Sequence, residues 1–418
     1  MDAVRHLVVG AGISGLAFAD WLGDDDCLIC EAEPEVGGYC RTIRRDGFTW
    51  DFSGHFFHFK DPEIERYLVS RMGAEEVLRV ERRSGIHWGD RVIDFPFQKN
   101  IHQLPKAEFV ECLVDLYFRE EREPKTFLDM LYLRFGKGIA DRFLVPYNEK
   151  VYATDLDRLD VDAMGRFFPH ADVSDIIRNF SRADNRGYNA TFTYPRGGAI
   201  QYVRALMTGV NERRLSLGER VISVDPATRI ARTELREVRF EHLVSTMPFS
   251  KLLAMCGIDH DREIYDWNRV VVFNLGFDRK GQGDHHWVYF PQRDLVFYRV
   301  GFYDNIFGDD RMSLYVEIGR GKGGDSGDLD LDDLERQTLE DLARCGVVTD
   351  QKLVASHRVV LDPAYVHITR RSLADVPGKK AALESLGIHS IGRYGSWTYC
   401  SIEDNIVEAR ALADRLRG

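Results

Sequence analysis

The chain has 418 residues, of which 44% are hydrophobic, 29% charged and 11% aromatic, and it carries a formal net charge of −11. This composition belongs to a folded globular protein and excludes a disordered one, while the length exceeds one ordinary core and implies two or three packed modules. The acidic balance excludes general nucleic-acid binding, which needs a basic field, so an anionic ligand requires its own local arginines. No apolar run is long enough to span a bilayer, and MDAVRHLVVGAG enters a strand without a charged leader, so a cytoplasmic protein is expected. The seven cysteines (Cys27, Cys30, Cys40, Cys112, Cys256, Cys345, Cys400) are odd in number and scattered, unlike a disulfide scaffold. Cys27-x-x-Cys30 has no second pair and reads as strand packing, so no metal site is expected.

In chain order, Leu7 to Val9 reads as a strand, Ile13 to Leu22 as a helix, and Cys27 to Cys30 as a second strand closed by Glu31. Together they make a parallel βαβ unit with a right-handed crossover. Gly10-x-Gly12-x-x-Gly15 falls on its strand-to-helix turn, where backbone can approach a pyrophosphate at a helix N-terminus. Glu31, about twenty positions on, is placed to accept adenosine ribose hydroxyls. The extension Gly37-Gly38-x-x-Arg41 points to FAD rather than NAD, its glycines passing over the pyrophosphate and Arg41 adding a cation.

From Pro105 to Tyr152 three helical patterns follow one another, broken by Glu123-Pro124 and Gly136-x-Gly138. Residues ~190 to 300 alternate the strands RVISVD, VRFEHLVSTM, VVVFNLGF and HWVYFP, the middle pair resembling a return to the first sheet. The acidic stretch Gly323 to Asp333 reads as a solvated loop leading to a helix. The tail from Ser401 sets Ile402, Ile406, Ala409, Leu412 and Leu416 on one face, with Ser401 as N-cap. The fold class expected is α/β, a Rossmann-like FAD-binding domain with a helical insertion and a strand-rich substrate domain. Its segments are 1–60 (FAD-binding βαβ), 61–165 (mainly helical insertion), 166–250 (mixed sheet returning to the FAD domain), 251–380 (strand-rich substrate domain) and 381–418 (closing strand and helix).

The flavin-type extension resembles the superfamily of amine oxidases, protoporphyrinogen oxidases and UDP-galactopyranose mutases, and Gly392-Arg393-Tyr394-Gly395 before the last helix fits the same reading. A helix N-terminus there would favour anionic reduced flavin. Four further segments resemble the mutases, in family order: GHFFHF (54–59), FPFQKNIHQLP (95–105), PYNEKVYA (146–153) and GRYGSWTY (392–399). The resemblance implies a uracil pocket from Phe95, Phe97 and Gln98, ribose-side roles for Asn148 and Tyr152, and a diphosphate contact from Arg166. It also implies phenol donors to that diphosphate from Tyr365 and Tyr399, and a flavin-side His55. Without the family match, the two phenylalanines read as core and His55 as structural.

The activity implied is pyranose/furanose mutation of a nucleotide-linked sugar without net oxidation, with reduced FAD as nucleophile at the anomeric carbon and NAD(P)H as a candidate reductant. A homodimer is the base-rate expectation. The alternative is an FAD-dependent oxidoreductase of the amine-oxidase or protoporphyrinogen-oxidase type, transferring hydride from substrate to flavin. One departure favours it: where the mutases carry a second arginine, FNLGFDRKG sets Asp278, next to Arg279. A carboxylate there would repel a diphosphate, so either the register is off by one, another cation such as Arg299 compensates, or the substrate differs.

Overall fold

The computed structural model describes residues 2–417 except 186, 188, 189 and 323–328. Two seven-stranded sheets organise it. In the first, Glu237–Ser245, Asp2–Val9 and Cys27–Glu31 run parallel side by side, and Leu215–Leu217 extends the sheet beyond Cys27–Glu31. The far edge of Glu237–Ser245 is shared: Ile230–Thr233 pairs antiparallel along residues 237–239, and Ile388–Ser390 pairs parallel along residues 243–245. The C-terminal part of the chain thus returns to the sheet that its N-terminus begins.

The helix Ile13–Leu22 has nine of its ten residues buried, which explains why its sequence carries small and apolar side chains all round rather than one stripe. It lies between the first sheet and the terminal helix Ile402–Leu416, whose Ile406, Ala409 and Leu412 enter the same core. Ser401 caps that last helix: its hydroxyl accepts from Asp404 N–H, and the Asp404 carboxylate accepts from Ser401 N–H at 2.8 Å.

The second sheet runs Leu353–Leu361, Asn268–Phe277, Ser313–Gly321, Arg299–Phe302, Trp287–Tyr289, Ser84–Trp88, Arg91–Asp94. Every pairing is antiparallel except that of Trp287–Tyr289 with Ser84–Trp88. VVVFNLGF is therefore the spine of this sheet and does not return to the first one; only VRFEHLVS, of the two strands expected there, does so. All ten residues of Asn268–Phe277 are buried. A strand covered on both faces shows no alternation, so its pattern cannot say which sheet it joins.

Helices Lys106–Tyr117 and Phe127–Ile139 precede a π-helical turn, Ala140–Leu144, which feeds Val145–Tyr152. Leu144 at the end of the turn and Tyr147, Asn148 and Val151 on the helix after it face one common cavity. Ser84–Trp88 and Arg91–Asp94 carry residues of the 61–165 segment into that sheet. Of the acidic stretch, residues 323–328 lie outside the described residues, and the helix after it spans Leu331–Arg344 with Asp330 as its N-cap.

Candidate active site

Where Asp2–Val9 ends and Ile13–Leu22 begins, a cavity of about 410 Å³ opens. Gly10, Gly12, Glu31, Gly37 and Gly38 line it, together with Gly392 and Arg393 from the C-terminal return. Gly15 does not face the cavity. Its hydrogen occupies the place where a Cβ would lie 2.0 Å from the Gly10 carbonyl oxygen, so it lets helix and strand close together. Gly37 and Gly38 both have positive φ, 113° and 54°, which carries the backbone back over the turn; Gly37 N–H donates to the Ala11 carbonyl at 2.8 Å. The Glu31 carboxylate is buried and accepts from Ala11 N–H at 2.6 Å and Glu33 N–H at 2.9 Å, which fixes it at the strand end with lone pairs left for further donors.

Arg41 is not in this wall. Its Nε donates to the Gly38 carbonyl at 2.9 Å, its Nη1 to Glu35 at 3.2 Å, and its guanidinium covers the Phe52 ring. It braces the glycine turn from behind, because two acidic neighbours, Glu33 and Glu35, draw it outward.

A second cavity, about 250 Å³, adjoins the first, and His55, Arg393, Cys400 and Ile402 line both. Its walls are Phe95, Tyr147, Asn148, Trp287, Tyr289, Arg299, Tyr365 and Tyr399, with Phe167 and Pro169 among the residues at one end. The Tyr365 and Tyr399 rings stack with centroids 5.8 Å apart. Burial holds both phenols above their ordinary value, so they stay protonated as donors. Burial also pushes His55 down to about 4, aided by Arg393 and Arg299 and opposed by Glu317, so the imidazole is neutral at pH 7. Its Nδ1 is buried without a partner.

Arg299 lines this cavity. Antiparallel pairing sets it opposite Glu317, which accepts from its Nε at 2.6 Å and its Nη2 at 2.7 Å. Ser53, on the loop that carries His55, donates to the same carboxylate. Asp278, by contrast, follows the end of its strand and accepts from Lys352 N–H at 2.9 Å; it does not line the cavity.

The structure brings Phe95, Asn148, Tyr365, Tyr399, His55 and Arg393 into one wall. Phe97 stands elsewhere, fully buried between Trp88 and Phe143, as core. Gln98 lies one layer behind the wall, its amide donating to the carbonyl of Pro169, and Tyr152 packs edge-on to Tyr365 from behind. Arg166 is not among the lining residues; it pairs with Asp404 and covers the ring of Phe167, which lines the cavity and meets Tyr399. Sequence reasoning missed Tyr147, Trp287, Tyr289 and the Ser53–Glu317 pair. The alternation in HWVYFP was the available signal for the aromatic two, since Trp287 and Tyr289 share a face.

A larger cleft, about 1170 Å³, opens on the other side of Phe95. Its arginines (82, 83, 178, 182) are matched by Glu81, Asp94, Asp184 and Asp284, so it has no net field and is a solvent-open groove beside the site.

A family model for flavin containing amine oxidoreductases matches residues 13–416. The chain belongs to that family. The fold is shared at full length with reduced UDP-galactopyranose mutase, at a TM-score of 0.89 and 24% identity, covering 99% of this chain and 95% of that one. It is also shared with cyclohexylamine oxidase from Brevibacterium oxydans IH-35A, at a TM-score of 0.67 and 15% identity, covering 99% and 98%. Among curated proteins, a chloroplastic protoporphyrinogen oxidase of Nicotiana tabacum is 35% identical over 60 residues, only 14% of this chain and 11% of that protein. The family is a flavoprotein family, and it places the chain among flavin enzymes. No helix of the described residues is long and apolar enough to cross a membrane.

Proposed function

We propose that the chain is a flavin-dependent pyranose/furanose mutase of a nucleotide-linked sugar. The observation that carries this reading is the lining of the inner cavity: Arg299 and Arg393 both face it, and among the described residues no carboxylate lines it. Guanidinium groups in a wall repel a protonated amine and attract a diphosphate. Asp278, which had counted for the oxidoreductase reading, is outside the cavity.

The donor set fits FAD. Glycine backbone at a helix N-terminus suits a pyrophosphate, Gly12 leaves space with nothing nearer than 3.9 Å to a built Cβ, and buried Glu31 suits a ribose. Reduced FAD would supply a nucleophilic ring nitrogen. Arg299, fixed by Glu317, holds the leaving diphosphate near the sugar and stabilises its charge; Tyr365 and Tyr399 donate to it without adding charge. Arg166 exchanges Asp404 for the same diphosphate when substrate enters. Phe95, Tyr147 and Tyr289 seat the base and ribose by their faces, and Asn148, whose Oδ1 is buried without a partner, offers that atom to a hydroxyl.

Protein reduced with dithionite or NAD(P)H and incubated with UDP-, GDP- and dTDP-sugars should return isomeric products with the substrate's redox state unchanged. The stacked pair Tyr365 and Tyr399 favours one competing reading, hydride transfer from an apolar donor seated between aromatic faces to oxidised flavin. Oxygen consumption coupled to substrate loss, with no isomer formed, would replace the mutase by that oxidase.

A further inference from the structure

The sequence reading assigned a positive end at Gly392 to the flavin. In the fold the helix there spans only Gly392–Gly395, and Gly392 N–H is already taken by Glu408 at 2.7 Å. The Glu408 carboxylate thus offsets part of the positive backbone end, and the full positive charge beside it is the side chain of the next residue. Arg393 lines both cavities, and among the described residues its guanidinium makes no hydrogen bond or ion pair, with Nε shut off from solvent.

The carboxylates nearby are all committed. Glu317 gives both oxygens to Arg299, Asp404 pairs with Arg166 and caps the last helix, and Glu408 binds Gly392, Ser396 and Lys380. The titratable groups around Arg393 include Tyr394, Tyr399, Cys400 and Tyr365, each kept protonated by burial, and His55, which burial keeps neutral at pH 7. The faces of Tyr365 and Tyr399 lie 5.1 and 4.8 Å from its Cζ and offset part of the desolvation. An enclosed cation without a counterion is costly, and a fold keeps one where a ligand supplies the missing charge.

Arg299 lines the inner cavity alone and Arg166 lines neither; of the three arginines only Arg393 belongs to the cofactor cavity. We infer that Arg393 is the counterion of the reduced flavin ring, holding it as the anion and raising the flavin's reduction potential. This rests on the reading that FAD fills the glycine-lined cavity.

The test uses the FAD-loaded protein with Arg393→Met, which removes the charge at similar volume, and Arg393→Lys, which keeps it. Midpoint potentials come from dye equilibration, and ionisation of the reduced flavin from absorbance of photoreduced protein against pH. Arg393→Met should show a more negative potential and a reduced flavin that ionises about one pH unit higher, a tenfold loss of preference for the anion; Arg393→Lys should restore most of both. Arg393→Met with bound FAD and wild-type potential and ionisation overturns the inference, as does an effect confined to UDP binding by the oxidised protein. If Arg393→Met fails to hold FAD, Arg393→Lys decides: wild-type ionisation supports the charge, and loss of it overturns it. Wild-type protein that takes up no FAD sinks the flavin reading itself, a result distinct from the others.

Discussion

At the scale of single residues, the arginine on which the proposed chemistry turns is held by a pairing that spans the second sheet. Arg299 and Glu317 are cross-strand partners, and Glu317 is only 1% exposed, so neither charge can be left alone. Glu317→Gln should cost about 3–5 kcal/mol of folding stability, because it strands the guanidinium in a low-dielectric site, and denaturant titration will read it. Replacing both, as Arg299→Met with Glu317→Leu, should recover most of that stability while abolishing turnover; a double variant that still isomerises a nucleotide sugar would remove Arg299 from the site. Sequence alone reached Arg299 only as one of three alternatives to Asp278. The pairing that settles its place joins residues 18 apart through an antiparallel register, which no local pattern encodes. Phe97 shows the same limit from the other side. Its neighbour Phe95 lines the cavity while Phe97 fills the core, and two phenylalanines spaced by one residue look alike until the partners Trp88 and Phe143 are in place.

Among the elements, the strand–turn–helix at the N-terminus was legible because its glycines answer to separate steric demands. A Cβ on Gly15 would lie 2.0 Å from a backbone oxygen that cannot move, whereas one on Gly12 would meet nothing nearer than 3.9 Å. Gly15→Ala should therefore lower the thermal midpoint of the protein even without flavin. Gly12→Ala should leave the flavin-free midpoint near wild type and weaken FAD retention, since the methyl group takes the space of the ligand. Equal thermal loss in both variants would mean that Gly12 serves packing alone. The terminal helix was legible for a similar reason, its Ser401 and Asp404 closing the capping box that its sequence spells out. Asn268–Phe277 was not: ten buried residues in a row carry no period, so neither its sheet nor the place of Asp278 just beyond it could be read.

Over the whole molecule, burial sets the balance of charge with pH. It pushes His55, His58, His286 and His389 each down to about 4, from 6.5. Between those values the unfolded chain binds a proton at each position and the fold does not, so their contribution to stability is complete above pH 6.5 and is lost as the pH falls towards 4. Two carboxyls act in the opposite sense. Burial raises Asp51 and Asp304 from 3.8 to about 6, so in that interval the fold binds their protons first and gains stability on acidification. Four histidines against two carboxyls, over intervals of similar width, leave a net loss in acid. Below pH 4.5 Glu219 adds to it, since the hydrogen bonds from Arg236 and Thr233 outweigh burial and hold it at about 2. The thermal midpoint should thus fall steadily from pH 6.5 to 4.5. Part of that slope belongs to His389, which faces His242 across adjacent strands of the first sheet with nitrogens 3.4 Å apart, so that a proton on either repels one on the other. His389→Gln removes one titrating group there and should flatten the slope while leaving the midpoint at pH 7.5 little changed. A wild-type midpoint that is level across the same range would show that the carboxyls match the histidines, and that the buried imidazoles find protonated conformations the fold accommodates.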